Sequence, residues 1–127
     1  PLGRSYLDTV PAEKQHDAKL AKLISRPKMA SAVIAVSMKR DESLRISEQD
    51  ELLAVACAVQ NMHLTCTAYG LGGFWSTPGI IHAPAMNHLL DLGENDKCVG
   101  LFYVGYPAVE WPKGQRKPIE YVTTWKQ

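Results

Sequence analysis

Three glycines within four residues, Gly70, Gly72 and Gly73, run into Trp75, Ser76 and Thr77, and this is the stretch best suited to bringing a flat ligand close to backbone. A dinucleotide-binding turn reads G-x-G-x-x-G, leaves a strand and opens a helix. Here the third glycine position is Trp75 and the glycines follow a helical pattern, so that reading is excluded. Gly70 has the identity and place of a helix stop. Gly72 and Gly73 fall in a strand-forming stretch, where glycine weakens pairing unless a ligand or another piece of chain approaches closely. Both explanations stay open for these two.

The remaining reactive side chains do not form a recognisable catalytic spacing. Cys57, Cys66 and Cys98 lack a C-x-x-C pair, and the four histidines contain no H-E-x-x-H, so neither a zinc site nor a disulfide framework is written here. Cys57 and Cys66 lie nine apart on one helix, on opposite sides, and are expected as buried packing. His63 could act as a general base, but without a nearby carboxylate it reads as structural, as do His82 and His88. No serine sits in G-x-S-x-G. Lys113, Arg116 and Lys117 make a basic turn that either grips a phosphate or is simply solvated. No residue is assigned a catalytic role or a metal.

The elements that must position these residues belong to one domain, 1–127. The sequence has 127 residues, 46% apolar and 21% charged, within the range of a single core. A net charge of +1 does not announce nucleic acid or an anionic membrane, and no apolar stretch is long enough to span one, so a soluble cytoplasmic protein is expected. The first ten residues read as an irregular lead-in. An exposed amphipathic helix is expected from Pro11 to about Arg26, ended by Pro27. Residues 31–38, SAVIAVSM, read as a strand buried on both faces. Ser47 caps a helix running to Gly70 that carries no charge between Leu52 and Tyr69 and should be buried all round. At 1.5 Å per residue it spans roughly 33 Å, about the width of the domain, so a second subunit is expected to cover part of it. A strand through LGGFWSTPG, a helix from about Ala83 to Leu92 stopped by Gly93, a central strand Lys97–Tyr106 and a terminal strand or extended arm complete an α+β chain.

The stretch ELLAVACAVQNMHLTCTAYGLGGFWSTPG, with Ala58, Gln60 and Asn61 on its helix and Tyr69, Gly70, Leu71, Gly72 and Trp75 after it, resembles the FMN-dependent nitroreductase family. SAVIAVSM, DLGENDKCVGLFYVGYP and Arg116–Glu120 add further matches in order, so the resemblance runs from about Lys22 onward. It implies an α+β fold with a nitroreductase-like mixed sheet flanked by helices and a long central helix at a homodimer interface that holds two FMN. It implies electron transfer from NAD(P)H to nitroaromatics, quinones or similar small acceptors by a ping-pong scheme, the cofactor carrying the hydride. By position, Trp75, Ser76 and Thr77 would lie along the isoalloxazine ring, Gly72 and Gly73 would permit that approach, and Arg116 would face the phosphate. The Arg-Arg-Ser and Gln-Pro-Trp type motifs that open family members have no counterpart here, so the domain is expected to be N-terminally shortened. The alternative is a non-catalytic module derived from the family that binds flavin or another planar ligand, or only dimerises.

Overall fold

The computed structural model describes residues 2–111 and 114–126. Its centre is a three-stranded sheet of β1 (Ala32–Met38), β2 (Gly72–Ser76) and β3 (Lys97–Gly105), in the order β1-β3-β2. The expected central strand is therefore present, and its β-forming residues bury Cys98, Leu101 and Phe102. Both pairings are antiparallel. The resemblance implied a mixed sheet; β1 and β2 do run in the same direction, but β3 lies between them and no parallel ladder forms among the described residues. A bulge at Val36/Ser37 leaves Val99 of β3 without a partner.

Each face of the sheet carries its own helices. On one face lies α3 (Glu48–Ala68), which packs Val59 and Cys66 against Phe102. On the other lie α1 (Leu2–Thr9), α2 (Asp17–Met29) and α4 (Pro84–Leu89), over Ile81, Met86, Cys98 and Leu101 and a neighbouring cluster of Tyr6, Ile80 and Ala83. No helix among the described residues is long and apolar enough to cross a membrane.

The ends of α3 follow its sequence. The Ser47 hydroxyl accepts from the Asp50 amide at 3.1 Å, and Glu48, Asp50 and Glu51 place negative charge on the first turn. At the other end Gly70 takes φ +67°, and the amides of Leu71 and Gly70 donate to the carbonyls of Cys66 and Thr67. Burial corrects the expectation of a helix enclosed on all sides. Only Val59 and Cys66 are fully buried, while Leu53, Ala54, Cys57, Ala58 and Leu64 form an exposed apolar face. One small sheet covers one side of a helix and no more. β1 is likewise an edge strand that buries only Met38, not a strand buried on both faces.

The N-terminal third departs most from its sequence reading. The irregular lead-in is helix α1, held by Tyr6, which is 1% exposed and accepts from the His16 amide at 2.9 Å. The Gln15 side chain donates to the carbonyls of Leu7 and Val10, completing the end of that helix. Pro11 opens a short 3-10 turn, Ala12–Lys14, and α2 starts only at Asp17. It continues through Pro27 to Met29, past the proline expected to end it. The helix α4 stops before Gly93 because Asp91 adopts φ +52° and the Leu92 amide donates to the Asn87 carbonyl.

The loop between β1 and α3 is held by charge. The Arg40 guanidinium pairs with the Glu51 carboxylate, both largely shielded, and the Asp41 amide donates to the same carboxylate. Asp96 accepts from the Arg40 and Gly93 amides, and these two bonds hold its carboxyl below the usual carboxylate range.

Two outcomes follow for stability. Phe102→Ala should cost about 3–5 kcal/mol in urea unfolding, as the loss of a fully buried ring does. A depressed carboxyl stabilises the fold above its unfolded pKa, so the Asp96 contribution should be complete above about pH 5 and fade as pH falls through about 4 and below. Asp96→Asn should flatten that acid limb of the stability profile.

Candidate functional site

The expected residues Gly72, Gly73, Trp75, Ser76 and Thr77 come together on β2 and the turn after it, at the free edge of the sheet. An edge strand leaves a row of amide and carbonyl groups unpaired, here beside the Ser76 and exposed Thr77 hydroxyls. Pairing of Gly73 with Val104 and Trp75 with Phe102 turns these two positions toward α3, while Phe74 pairs with Tyr103 on the other face.

Packing restricts both glycines, Gly73 against a buried ring and Gly72 only against an exposed one. A Cβ at Gly73 would stand 2.7 Å from Phe102 Cζ and 3.3 Å from His63 Nδ1. One at Gly72 would stand 3.1 Å from Trp111 Cζ2. His63 itself lies edge-on to Phe102, ring centroids 4.7 Å apart, which agrees with a structural role. The Trp75 indole enters the same cluster, so only its backbone faces outward from the sheet edge. Its ring lies against Gly100, where a Cβ would come within 2.0 Å of the indole nitrogen, and that buried nitrogen has no hydrogen-bond partner. Gly100 has φ +157°, a backbone state that favours glycine for a second reason.

The basic turn is not joined to this edge by any hydrogen bond or ion pair among the described residues. Arg116 is exposed and its Nη1 donates to the neighbouring Gln115 carbonyl at 3.5 Å. Lys117 lies over the Tyr121 ring at 5.5 Å, and Lys113 falls outside the described residues. Instead of a terminal strand, the described part of the tail has one 3-10 turn, Ile119–Tyr121, and exposes Trp111, Tyr121 and Trp125. Of the two cysteines expected as buried packing, Cys66 is buried but Cys57 is exposed on the open face of α3; Cys98 is buried in β3.

Sequence reasoning missed a small aromatic hollow of about 310 Å³ on the far face, where Phe74 and Tyr103 meet Arg26 and Met29. Burial raises the Tyr103 hydroxyl above its ordinary pKa, with the Arg26 charge opposing. The alternation in GLFYVGY, which sends Tyr103 to the face opposite Phe102, was the available signal.

The nitroreductase family model matches residues 3–106. YdjA of Escherichia coli (strain K12), which carries the name of an NAD(P)H nitroreductase, is 28% identical over 94 residues, 74% of this chain and 51% of that protein. The chain thus spans about half the length of the curated relatives it matches. A nitroreductase-like family protein from Bacillus cereus superimposes with a TM-score of 0.72 at 28% identity, over 97% of this chain and 65% of that one. A nitroreductase with bound FMN from Bacteroides fragilis NCTC 9343 shares the fold with a TM-score of 0.55 at 21% identity, over 98% of this chain and 66% of that one.

Gly73→Ala should destabilise the ligand-free chain by about 1–3 kcal/mol, the usual cost of overpacking. Chemical unfolding without any added flavin reads this directly. An unchanged midpoint would return Gly73 to the ligand explanation.

Proposed function

Since the chain belongs to the nitroreductase family, matched over residues 3–106, we propose that it acts as an FMN-dependent oxidoreductase, passing electrons from NAD(P)H to nitroaromatic, quinone or similar acceptors. That match is the observation carrying the reading, and the FMN of the Bacteroides fragilis nitroreductase, whose fold the chain shares, supports the choice of cofactor. FMN, when bound, supplies the two-electron chemistry between nicotinamide and acceptor.

The residues present suit this group in two respects. The open edge of β2 offers backbone donors and acceptors to the polar rim of a planar ring, with Ser76 and Thr77 hydroxyls beside them. Arg116 is exposed and makes no ion pair among the described residues, so its fork of donors is available to a phosphate. Gly72, Gly73 and Trp75 serve the site through backbone and packing: the glycines let β2 lie close under His63 and Trp111, and the indole fastens the strand to β3. No acid-base pair is required of the protein, and the edge-on contact of His63 with the buried Phe102 ring agrees with a packing role for it.

A homodimer completes the reading. The exposed face of α3, with Leu53 at 56% and Leu64 at 59% exposure and no charge between Leu52 and Tyr69, is a surface suited to a second copy.

Spectra, binding, kinetics and oligomeric state test the proposal. The isolated chain should take up FMN, show its visible spectrum and bleach on anaerobic addition of NADPH or NADH; bound flavin that neither bleaches would favour the non-catalytic module. Arg116→Ala should weaken FMN by roughly ten- to a hundredfold, the loss of one charge-assisted partner, and turnover at several acceptor concentrations should give parallel double-reciprocal lines. Light scattering should return a dimer. Ala58→Arg should dissociate or unfold it, whereas in a true monomer this exposed position would accept the charge without effect.

A further inference from the structure

Gly100 of β3 has the tightest surroundings of any described glycine. A Cβ there would stand 2.0 Å from Trp75 Nε1, 2.7 Å from Trp75 Cδ1 and 3.1 Å from the Ser76 carbonyl oxygen. Alternation along the strand puts Gly100 on the same face as Phe102, the face that α3 covers. It also stands where a ladder ends. The last pair between β2 and β3 is Ser76 with Leu101, so Gly100 lies beside the point at which β2 leaves the sheet. On its other side it pairs with Val36, next to the bulge.

The way the indole is held follows from its nitrogen. That N–H is buried and finds no hydrogen-bond partner among the described residues, so no directional bond fixes the ring. What fixes it is contact alone, with the cluster of Val59, Cys66 and Phe102 and with the bare backbone of Gly100. A side chain at position 100 would take the space of the pyrrole edge. The strand carrying the indole would then have to shift, because Trp75 and Ser76 supply the final pairs of the ladder.

We propose that Gly100 is a positioning residue for the flavin edge: by lacking a side chain it seats the Trp75 indole and so fixes where Ser76 and Thr77 leave the sheet. It acts through Trp75. The assignment rests on the reading of that edge as the FMN site, and its first test is made without FMN.

Amide hydrogen exchange of the ligand-free chain compares Gly100→Ala on its own and combined with Trp75→Leu. With Trp75 in place, Gly100→Ala should speed exchange along β2 by roughly tenfold, the scale of overpacking, and in the Trp75→Leu background by less than roughly threefold. Any backbone cost at φ +157° is common to both backgrounds and cancels. Gly105→Ala, at the other end of the ladder, where a Cβ meets nothing closer than 3.4 Å, should leave β2 unchanged. FMN titrations of the folded variants should follow the same pattern. Gly100→Ala should bind roughly tenfold more weakly with a shifted visible flavin band, and the double variant should match Trp75→Leu in both. Where Gly100→Ala alone fails to fold, a double variant that folds supports the seating and one that does not overturns it. Equal effects of Gly100→Ala in both backgrounds, or FMN affinity and spectrum that it leaves unchanged, would also overturn the assignment. A parent chain that takes up no FMN, with the exchange pattern as expected, would overturn the flavin reading and keep the seating.

Discussion

Phe102 stands at 0% exposure in the middle strand, beneath α3 and edge-on to His63, with Gly73 across from it on β2. No side chain fits at Gly73, so β2 and α3 close onto the ring from two sides. Further along the same face the Trp75 indole lies against Gly100 for a corresponding reason. Two large rings and two glycines thus set the height of the long helix above the sheet and the line of the edge strand. The place where Ser76 and Thr77 emerge depends on that arrangement. The opposite face, with α1, α2 and α4, packs on Leu101 and Met86 and could vary without moving this edge.

How much of this was legible depended on whether the stabilising contact was local. The limits of α3 followed from Ser47, three acidic residues and Gly70, all of which act within one turn. The role of β3 followed from its run of β-formers, and its central place from burial on both faces. Helix α1 was not legible, because what holds it is Tyr6 reaching His16, Ile80 and Ala83, contacts that the first ten residues do not contain. Asp91 ended α4 in a left-handed state that glycine was expected to supply two residues later.

The site divides in the same way. The glycine-rich stretch was visible as a candidate, but the direction of the Trp75 ring depends on its register with Phe102, and Gly100 enters only through that pairing. The basic turn was picked out by its charge and Arg116 within it by resemblance, and among the described residues Arg116 reaches no part of β2 by a hydrogen bond or ion pair. The open apolar face of α3 explains the gap in simple terms. A helix with no charge over most of its length was read as enclosed, and one chain encloses only the half that faces Phe102. The other half is open apolar surface.

Amide hydrogen exchange with and without saturating FMN tests the central claim most directly, because it reads the edge strand itself. The account predicts that exchange slows at the amides of residues 72–77 and along the exposed face of α3, with β1 unaffected. Exchange at residues 72–77 that FMN leaves unchanged, while flavin is demonstrably bound, would contradict it.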